Sequence, residues 1–355
     1  MSLTRSIASL PLLWLCVTAI PAGPGYWPNG THSEIIGGDF NAEAYGLIDN
    51  YDGTNWLNMF DVQSWPTDGF VEYVNAQQAQ QLGLLRTQGS QVYMGVDSTS
   101  TLNPNGPGRK SVRIQSKRAY NQALVIVDFA HVPGSNCGSW PAFWMVGPNW
   151  PNQGEIDIYE GVHLNTYNQA TLHTSTGCVP SVGPGGETGQ RIGNADCGAG
   201  GGFNGCGVTS NYPTSYGTAF NANGGGVYAT LWTNSGIKVW YFASNNVPAN
   251  IRNGSPDPNS WGTPMTNFGP GCDYGAKFRD LNIVFDITFC GDWAGGVWGQ
   301  TSCAQSNPSC NAYVASQPQS FADVSTSLSA SSILIWEIFT ETITELLVDQ
   351  LSKGI

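Results

Sequence analysis

A chain of 355 residues with 45 glycines, 21 prolines and only 11 percent charged side chains does not have the composition of a helical protein. Its 25 acidic groups outnumber 13 basic ones, and the net charge of −12 argues against a nucleic-acid partner, because phosphate binding needs basic patches. Aromatics reach 12 percent, with 13 tryptophans, and short aromatic or β-branched runs alternate with glycine, proline and asparagine clusters, which points to an all-β sandwich or barrel.

At the start of the chain Arg5 precedes the apolar run IASLPLLWLCVTAI, and small residues follow. Residues 1–22 therefore read as a secretory signal peptide, since the run falls short of the roughly 20 residues that span a membrane. A secreted, extracellular chain with no stable membrane insertion is expected. Cys16 lies in that segment, and the eight cysteines after it are an even number that fits up to four disulfides. Cys197 with Cys206 and Cys303 with Cys310 are short-loop candidate pairs, and no C-x-x-C spacing suits a metal. Asn29 and Asn253 stand in N-x-S/T sequons, the second weakened by Pro256 directly after it. GFVEYV (69–74), QVYMGVD (91–97), SVRIQSK (111–117) and ALVIVDFAHV (123–132) read as strands, and NAQQAQQLG (75–83) as a short helix.

The next stretch, GEIDIYEG (154–161), places three carboxylates within six residues of what is otherwise a buried strand. Alternation puts Glu155, Asp157 and Tyr159 on one face with Ile156 and Ile158 behind, and leaves Glu160 on the wrong side by strict count. A β-bulge near Ile158 or Tyr159 would return Glu160 to the carboxylate face, and bulges are common beside active sites. The crowding is costly: two unit charges about 5 Å apart at an effective dielectric near 20 repel by roughly 3 kcal/mol. That exceeds the span of β propensity, about 1 kcal/mol, so stability does not explain the pattern. No Lys or Arg lies within 30 residues on either side to neutralise it. A calcium site is the alternative, but calcium loops are Asp/Asn/Gly-rich and flexible, and this segment reads as a strand. A carboxylate pair on one strand face suits glycoside hydrolysis with retention, where the two groups stand about 5–5.5 Å apart. Mutual repulsion raises the pKa of one member and keeps it protonated as a general acid, and the middle carboxylate can tune the nucleophile.

Beyond the motif, residues 183–207 are glycine-rich and read as a stapled surface loop. VYATLWTNSGIKVWYF (227–242) carries a hairpin signal at Asn234, Ser235 and Gly236, and LNIVFDITF (281–289) is a strand. In the tail, Trp336, Phe339, Ile343, Leu347 and Leu351 recur at helical spacing, with Glu337, Glu341, Glu345 and Asp349 on another face. Residues 324–355 are thus expected to be a serine-rich linker, STSLSASS, followed by an amphipathic helix.

GEIDIYEG, with the preceding CGSWPAFWMVGPNWPNQ and the following NQATLHTSTGC, resembles glycoside hydrolase family 16, most closely the fungal laminarinase-type endo-1,3(4)-β-glucanases. The likeness extends over roughly residues 35–323, through NYDGTNWLNMFDV, GFVEYV, SVRIQSK and FCGDWAGGVW, and a catalytic domain is assigned to 23–323. The resemblance implies a β-jelly-roll sandwich of two antiparallel sheets with a concave substrate cleft. It implies Glu155 as nucleophile, Asp157 as assisting aspartate, Glu160 as acid/base, and His173 near the acid/base on a neighbouring strand. Read alone, a single histidine is more often structural. Trp144 and Trp150 match tryptophans that stack on glucose rings, where composition alone would place them in the core. Arg113 and Trp293 match further substrate contacts. The implied activity is endo-acting, retaining cleavage of β-1,3 or mixed β-1,3/1,4 glucans by a monomer that binds β-glucan. No metal and no cofactor is expected in the chemistry, with structural calcium as an open alternative. A cell-wall transglycosylase would use the same residues, and a non-catalytic glucan-binding protein would need no acid/base pair. Family members finish with a further β-strand after a segment like SFADV, whereas STSLSASSILIW follows here. That departure leaves either a helix covering an exposed sheet edge or an imperfect gene model.

Overall fold

The computed structural model of the chain describes residues 44–339; the signal-peptide reading, the sequon at Asn29 and the tail beyond 339 lie outside these residues. Two antiparallel sheets of eight strands each make the body. The back sheet runs β16 (Thr266–Phe268), β15 (Gly236–Ala243), β14 (Gly226–Thr233), β8 (Ala123–His131), β18 (Ser325–Phe339), β5 (Gln91–Gly95) and β4 (Leu85–Gln88), and β1 (Ala44–Tyr51) also pairs with β18. The front sheet runs β12 (Gln190–Gly193), β13 (Cys206–Thr209), β11 (Gln169–His173), β10 (Glu155–Glu160), β9 (Ser139–Val146), β17 (Leu281–Phe289), β7 (Arg113–Tyr120) and β2 (Phe60–Gln63). A small parallel pair, β3 (Val71–Tyr73) with β6 (Arg109–Ser111), completes the strands. This is the all-β jelly-roll sandwich expected from the sequence.

The core lies between the sheets, where Val125, Val127 and Phe129 of the back sheet meet Phe143, Met145, Ile156 and Phe285 of the front. Phe143 and Phe285 stack at 4.6 Å, and Phe129 meets both edge-on at 5.7 and 6.2 Å. The hairpin signal is met by β14 and β15, whose register closes at Thr233 opposite Gly236. The short helix forms at Ala76–Gln81, capped by the Asn75 side chain, which accepts from the Gln78 N–H. Among the described residues no helix is long and apolar enough to cross a membrane.

Two expectations are corrected. Residues Ser325–Phe339 are not a linker and the start of a helix but one long strand inside the back sheet, paired with β8, β5 and β1. Its apolar run is buried on both faces. Ile333 and Ile335 join the inter-sheet core, while Leu334 and Trp336 join a second cluster with Leu124, Ile126 and Trp240. A strand buried on both sides shows no alternation, and periodicity alone cannot separate it from a helix. The back sheet therefore holds a strand where a linker was expected. The second correction concerns the disulfides. Cys197 pairs with Cys206, but Cys303 pairs with Cys137 and Cys310 with Cys290, and Cys178–Cys272 is the fourth bridge. The 303–310 proximity in sequence is overridden by long-range packing, which brings the start of β9 and the end of β17 against the segment that follows.

Candidate active site

The front sheet turns one face to the core and the other to a cleft of about 210 Å³, lined by Glu155, Asp157, Glu160, Trp140, Trp144 and Asp286 among others. On β9 burial alternates strictly, so Phe143 and Met145 go inward while Trp140, Ala142 and Trp144 are half-buried on the cleft side. On β17, Asp286 sits opposite Ala142, and on β7, Arg113 sits opposite Asp286. Ala142 in turn faces Glu160 on β10. One row across the sheet thus reads Arg113, Asp286, Ala142, Glu160, with the small alanine as its floor.

The expected bulge is present. Against β9, Asp157 faces Trp144 and Tyr159 faces Phe143, so Ile158 is the extra residue. Against β11, Asp157 faces Thr171 and Glu160 faces Gln169, which leaves Ala170 opposite two residues. The extra residue turns Tyr159 from the carboxylate side, where strict alternation placed it, into the core, stacked on Tyr216 at 5.0 Å. Glu160 comes round to the cleft with Glu155 and Asp157. Gly154 opens the strand at φ +77°, where a Cβ would lie 2.5 Å from the Phe278 ring.

Each carboxylate has its own surroundings. Trp150 Nε1 donates to Glu155 Oε2, and Trp140 Nε1 donates to Glu160 Oε1 at 2.7 Å. His173, on the neighbouring strand β11, sets Nε2 at 3.1 Å from Asp157 Oδ2. Its Nδ1 donates to the Gly202 carbonyl at 2.6 Å, which orients the ring. Burial pushes the Asp157 carboxyl up to about 7 and the Glu160 carboxyl up to about 8, and the charge of Glu155 on the first and of Asp157 on the second adds to the rise. Glu155 is raised by burial too, against the opposing pull of His173. For His173, burial favours the neutral ring, but Asp157 and Glu155 outweigh it and hold the imidazolium up at about 10. The site can therefore keep Glu160 protonated at neutral pH while His173 supplies the cation that sequence neighbours do not.

The remaining expected residues divide. Trp144 lies on the cleft face, its Nε1 donating to Asp286 at 3.1 Å, and the Arg113 guanidinium sits 4.9 Å above its ring. Arg113 also lies 3.5 Å from Asp286, whose other contact is the Tyr73 hydroxyl at 2.7 Å. Trp150 is the direct partner of Glu155. Trp293 is one step removed, packed edge-on against Trp140 at 5.7 Å. Its loop is held by His163, whose Nδ1 accepts from the Gly138 N–H and whose Nε2 donates to the Ala294 carbonyl at 2.7 Å.

Sequence reading passed over Trp140, Asp286, Tyr73 and Phe203. The signal for Trp140 was available, since it stands four residues before Trp144 in the same alternation. Phe203 gives no such sign. It is 71 percent exposed on the loop closed by Cys197–Cys206 and packs against Trp150 at 4.9 Å. Glu155, Asp157 and His173 bring one donor atom each within 4.8 Å of one another. That set contains a histidine nitrogen and so differs from the oxygen shell calcium takes.

Residues 58–332 match the XgeA-like catalytic domain of glycoside hydrolase family 16. A probable endo-1,3(4)-beta-glucanase of Neosartorya fischeri is 45 percent identical over 291 residues, which is 79 percent of this chain and 44 percent of that protein. The endo-1,3(4)-beta-glucanase xgeA of Emericella nidulans is 44 percent identical over 285 residues, 78 percent of this chain and 45 percent of that one. The chain thus spans less than half the length of these relatives. Among solved structures, an elongating family 16 beta-1,3-glucosyltransferase overlays with a TM-score of 0.75 at 42 percent identity, covering 82 percent of this chain and 100 percent of that one. Laminarinase 16A of Phanerochaete chrysosporium, solved with 6-O-glucosyl-laminaritriose in donor and acceptor sites, gives 0.74 at 39 percent identity, covering 82 and 99 percent. With the bulged carboxylate strand facing the cleft of a jelly roll, these matches make the chain a member of glycoside hydrolase family 16.

Proposed function

We propose that the chain is a secreted, endo-acting β-glucanase that cleaves β-1,3 or mixed β-1,3/1,4 glucans with retention. The observation that carries this reading is the bulge at Ile158, which brings Glu160 to the cleft face that Glu155 and Asp157 share. Glu155 attacks the anomeric carbon while Glu160, protonated through burial, gives its proton to the leaving oxygen. Glu160 then takes a proton from water, which releases the sugar from Glu155. Asp157, paired with His173, hydrogen-bonds Glu155 and favours the charged form of the nucleophile. Trp140 and Trp144 on the cleft wall offer apolar ring surface beside hydrogen-bonding groups, which suits a neutral sugar ring. This chemistry needs no cofactor. The apolar run at residues 7–20 and the four disulfides support secretion.

A second reading, transfer of the glycosyl group to an acceptor sugar, is favoured by one observation, the likeness at 42 percent identity to an elongating glucosyltransferase. Product analysis on laminarin, lichenan and barley glucan separates the two. Hydrolysis yields only oligosaccharides shorter than the substrate, with linkages that reveal the preferred bond. Oligosaccharides longer than a defined starting laminari-oligosaccharide establish transfer instead. No release from any of the three would overturn both.

A further inference from the structure

The mechanism depends on Glu160 reaching the cleft, and Glu160 reaches it only because the strand is bulged. A bulge disrupts the ladder and leaves backbone groups to be satisfied elsewhere. Asn168, the residue before β11, meets that need with a single side chain. Its Oδ1 accepts from the Glu160 N–H at 2.9 Å, and its Nδ2 donates to the Ile158 carbonyl at 2.8 Å. The two contacts lie on either side of Tyr159, so the amide brackets the bulge. Asn168 is fully buried, and its own backbone is held as well: its N–H donates to Ser215 Oγ at 3.0 Å, and its carbonyl accepts from the Ser210 N–H at 2.8 Å.

The chemistry of the bracket is specific. It needs one acceptor and one donor on the same short planar group, which among side chains of this length only asparagine supplies. Aspartate keeps the acceptor and loses the donor to Ile158. Alanine loses both and leaves two buried backbone groups without this partner. Neither change touches a carboxylate, a tryptophan or a cleft-lining side chain.

We propose that Asn168 is the positioning residue of the acid/base: by bracketing the bulge it sets the direction in which Glu160 leaves the strand. Glu155 precedes the bulge and takes its direction from the regular part of the strand, so the bracket bears on protonation of the leaving group and not on nucleophilic attack. This inference rests on the proposed roles of Glu155 and Glu160.

Leaving-group dependence tests it. From a dinitrophenyl laminaribioside the dinitrophenolate departs without a proton, whereas the sugar leaving group of laminari-oligosaccharides requires one. We expect Asn168→Asp and Asn168→Ala to lower kcat/KM on laminari-oligosaccharides at least about 10-fold, within the roughly 10²–10⁴ that general acid catalysis contributes. On the dinitrophenyl glycoside the same variants should retain formation of the glycosyl-enzyme within about threefold, read from the dinitrophenolate burst. The pH profile on oligosaccharides should also lose its wild-type basic limb. Ser215→Ala, which removes support from the Asn168 backbone and leaves the bracket in place, serves as the stability control and should keep the wild-type ratio between the two substrates. If Asn168→Ala does not fold, Asn168→Asp, which is isosteric, carries the test. Equal losses on both substrates, or the same altered ratio in Ser215→Ala, would reduce Asn168 to a structural residue and overturn the proposal. Glu160→Gln run in parallel keeps the two claims apart: if it shows no leaving-group dependence, the acid/base reading itself fails and takes this inference with it.

Discussion

Strands β10 and β18 both break regular pairing, and the comparison shows two different uses of an irregular strand. In β10 one extra residue, Ile158, brings Glu160 round to the face of Glu155 and Asp157 and is bracketed by the Asn168 side chain. In β18 four residues, 329–332, lie opposite the single residue Asp128 of β8, and regular pairing resumes at Ile333. The first irregularity exposes ionisable groups to a cleft at an electrostatic cost. The second precedes an apolar run that both faces of the sheet bury. On the proposed mechanism one strand holds chemistry in place while the other holds the sandwich together, and the two should respond to mutation along separate axes.

The largest expected effect is on β10. Glu155→Gln and Glu160→Gln should each lower glucan cleavage by about a hundredfold to ten-thousandfold while leaving the melting temperature within a few degrees of wild type. Steady-state rates on laminarin with thermal melts would check this, and retention of more than a tenth of the activity by either would erase the division. The mirror experiment is on β18. Ile335→Ala, at a position with no exposure, should cost about 2–5 kcal/mol in urea unfolding and leave kcat within about twofold at temperatures where the variant is folded. A selective loss of kcat without loss of stability would show that the back sheet shapes the site more directly than we describe.

A smaller effect sharpens the electrostatic half of the comparison. The Trp140 hydrogen bond favours the charged form of Glu160 and so opposes the rise caused by burial. The proposed acid role requires Glu160 protonated, so activity should fall as pH rises through about 8 in the wild type. Trp140→Phe removes the donor, stabilises the protonated form relative to the charged one and should move that basic limb to higher pH. A pH profile of kcat/KM reads the shift directly, and a limb displaced to lower pH would mean that Trp140 acts through packing alone.

The same contrast explains what could be read from the sequence. The bulge was legible because charge and alternation conflict within six residues, and only an extra residue resolves the conflict. The cleft face of β9 was legible in part, through Trp144 and its two-residue period. Strand β18 was not, because burial on both faces erases alternation and leaves a run that fits a helix equally well. Asn168 and Asp286 act through partners on other strands, at separations that follow from sheet register rather than from any local pattern. The disulfides divide the same way. Cys197 and Cys206, nine positions apart, could be paired from spacing, whereas Cys137 and Cys303, 166 positions apart, are joined by the fold.

The division of labour between the two glutamates is tested most directly by trapping the covalent intermediate. A 2-deoxy-2-fluoro laminaribioside with a dinitrophenyl leaving group slows both steps, and turnover of the intermediate becomes slower than its formation. Peptide mapping by mass spectrometry should then find the sugar esterified to Glu155. A label on Glu160, on Asp157 or on any residue outside β10 would contradict the assignment.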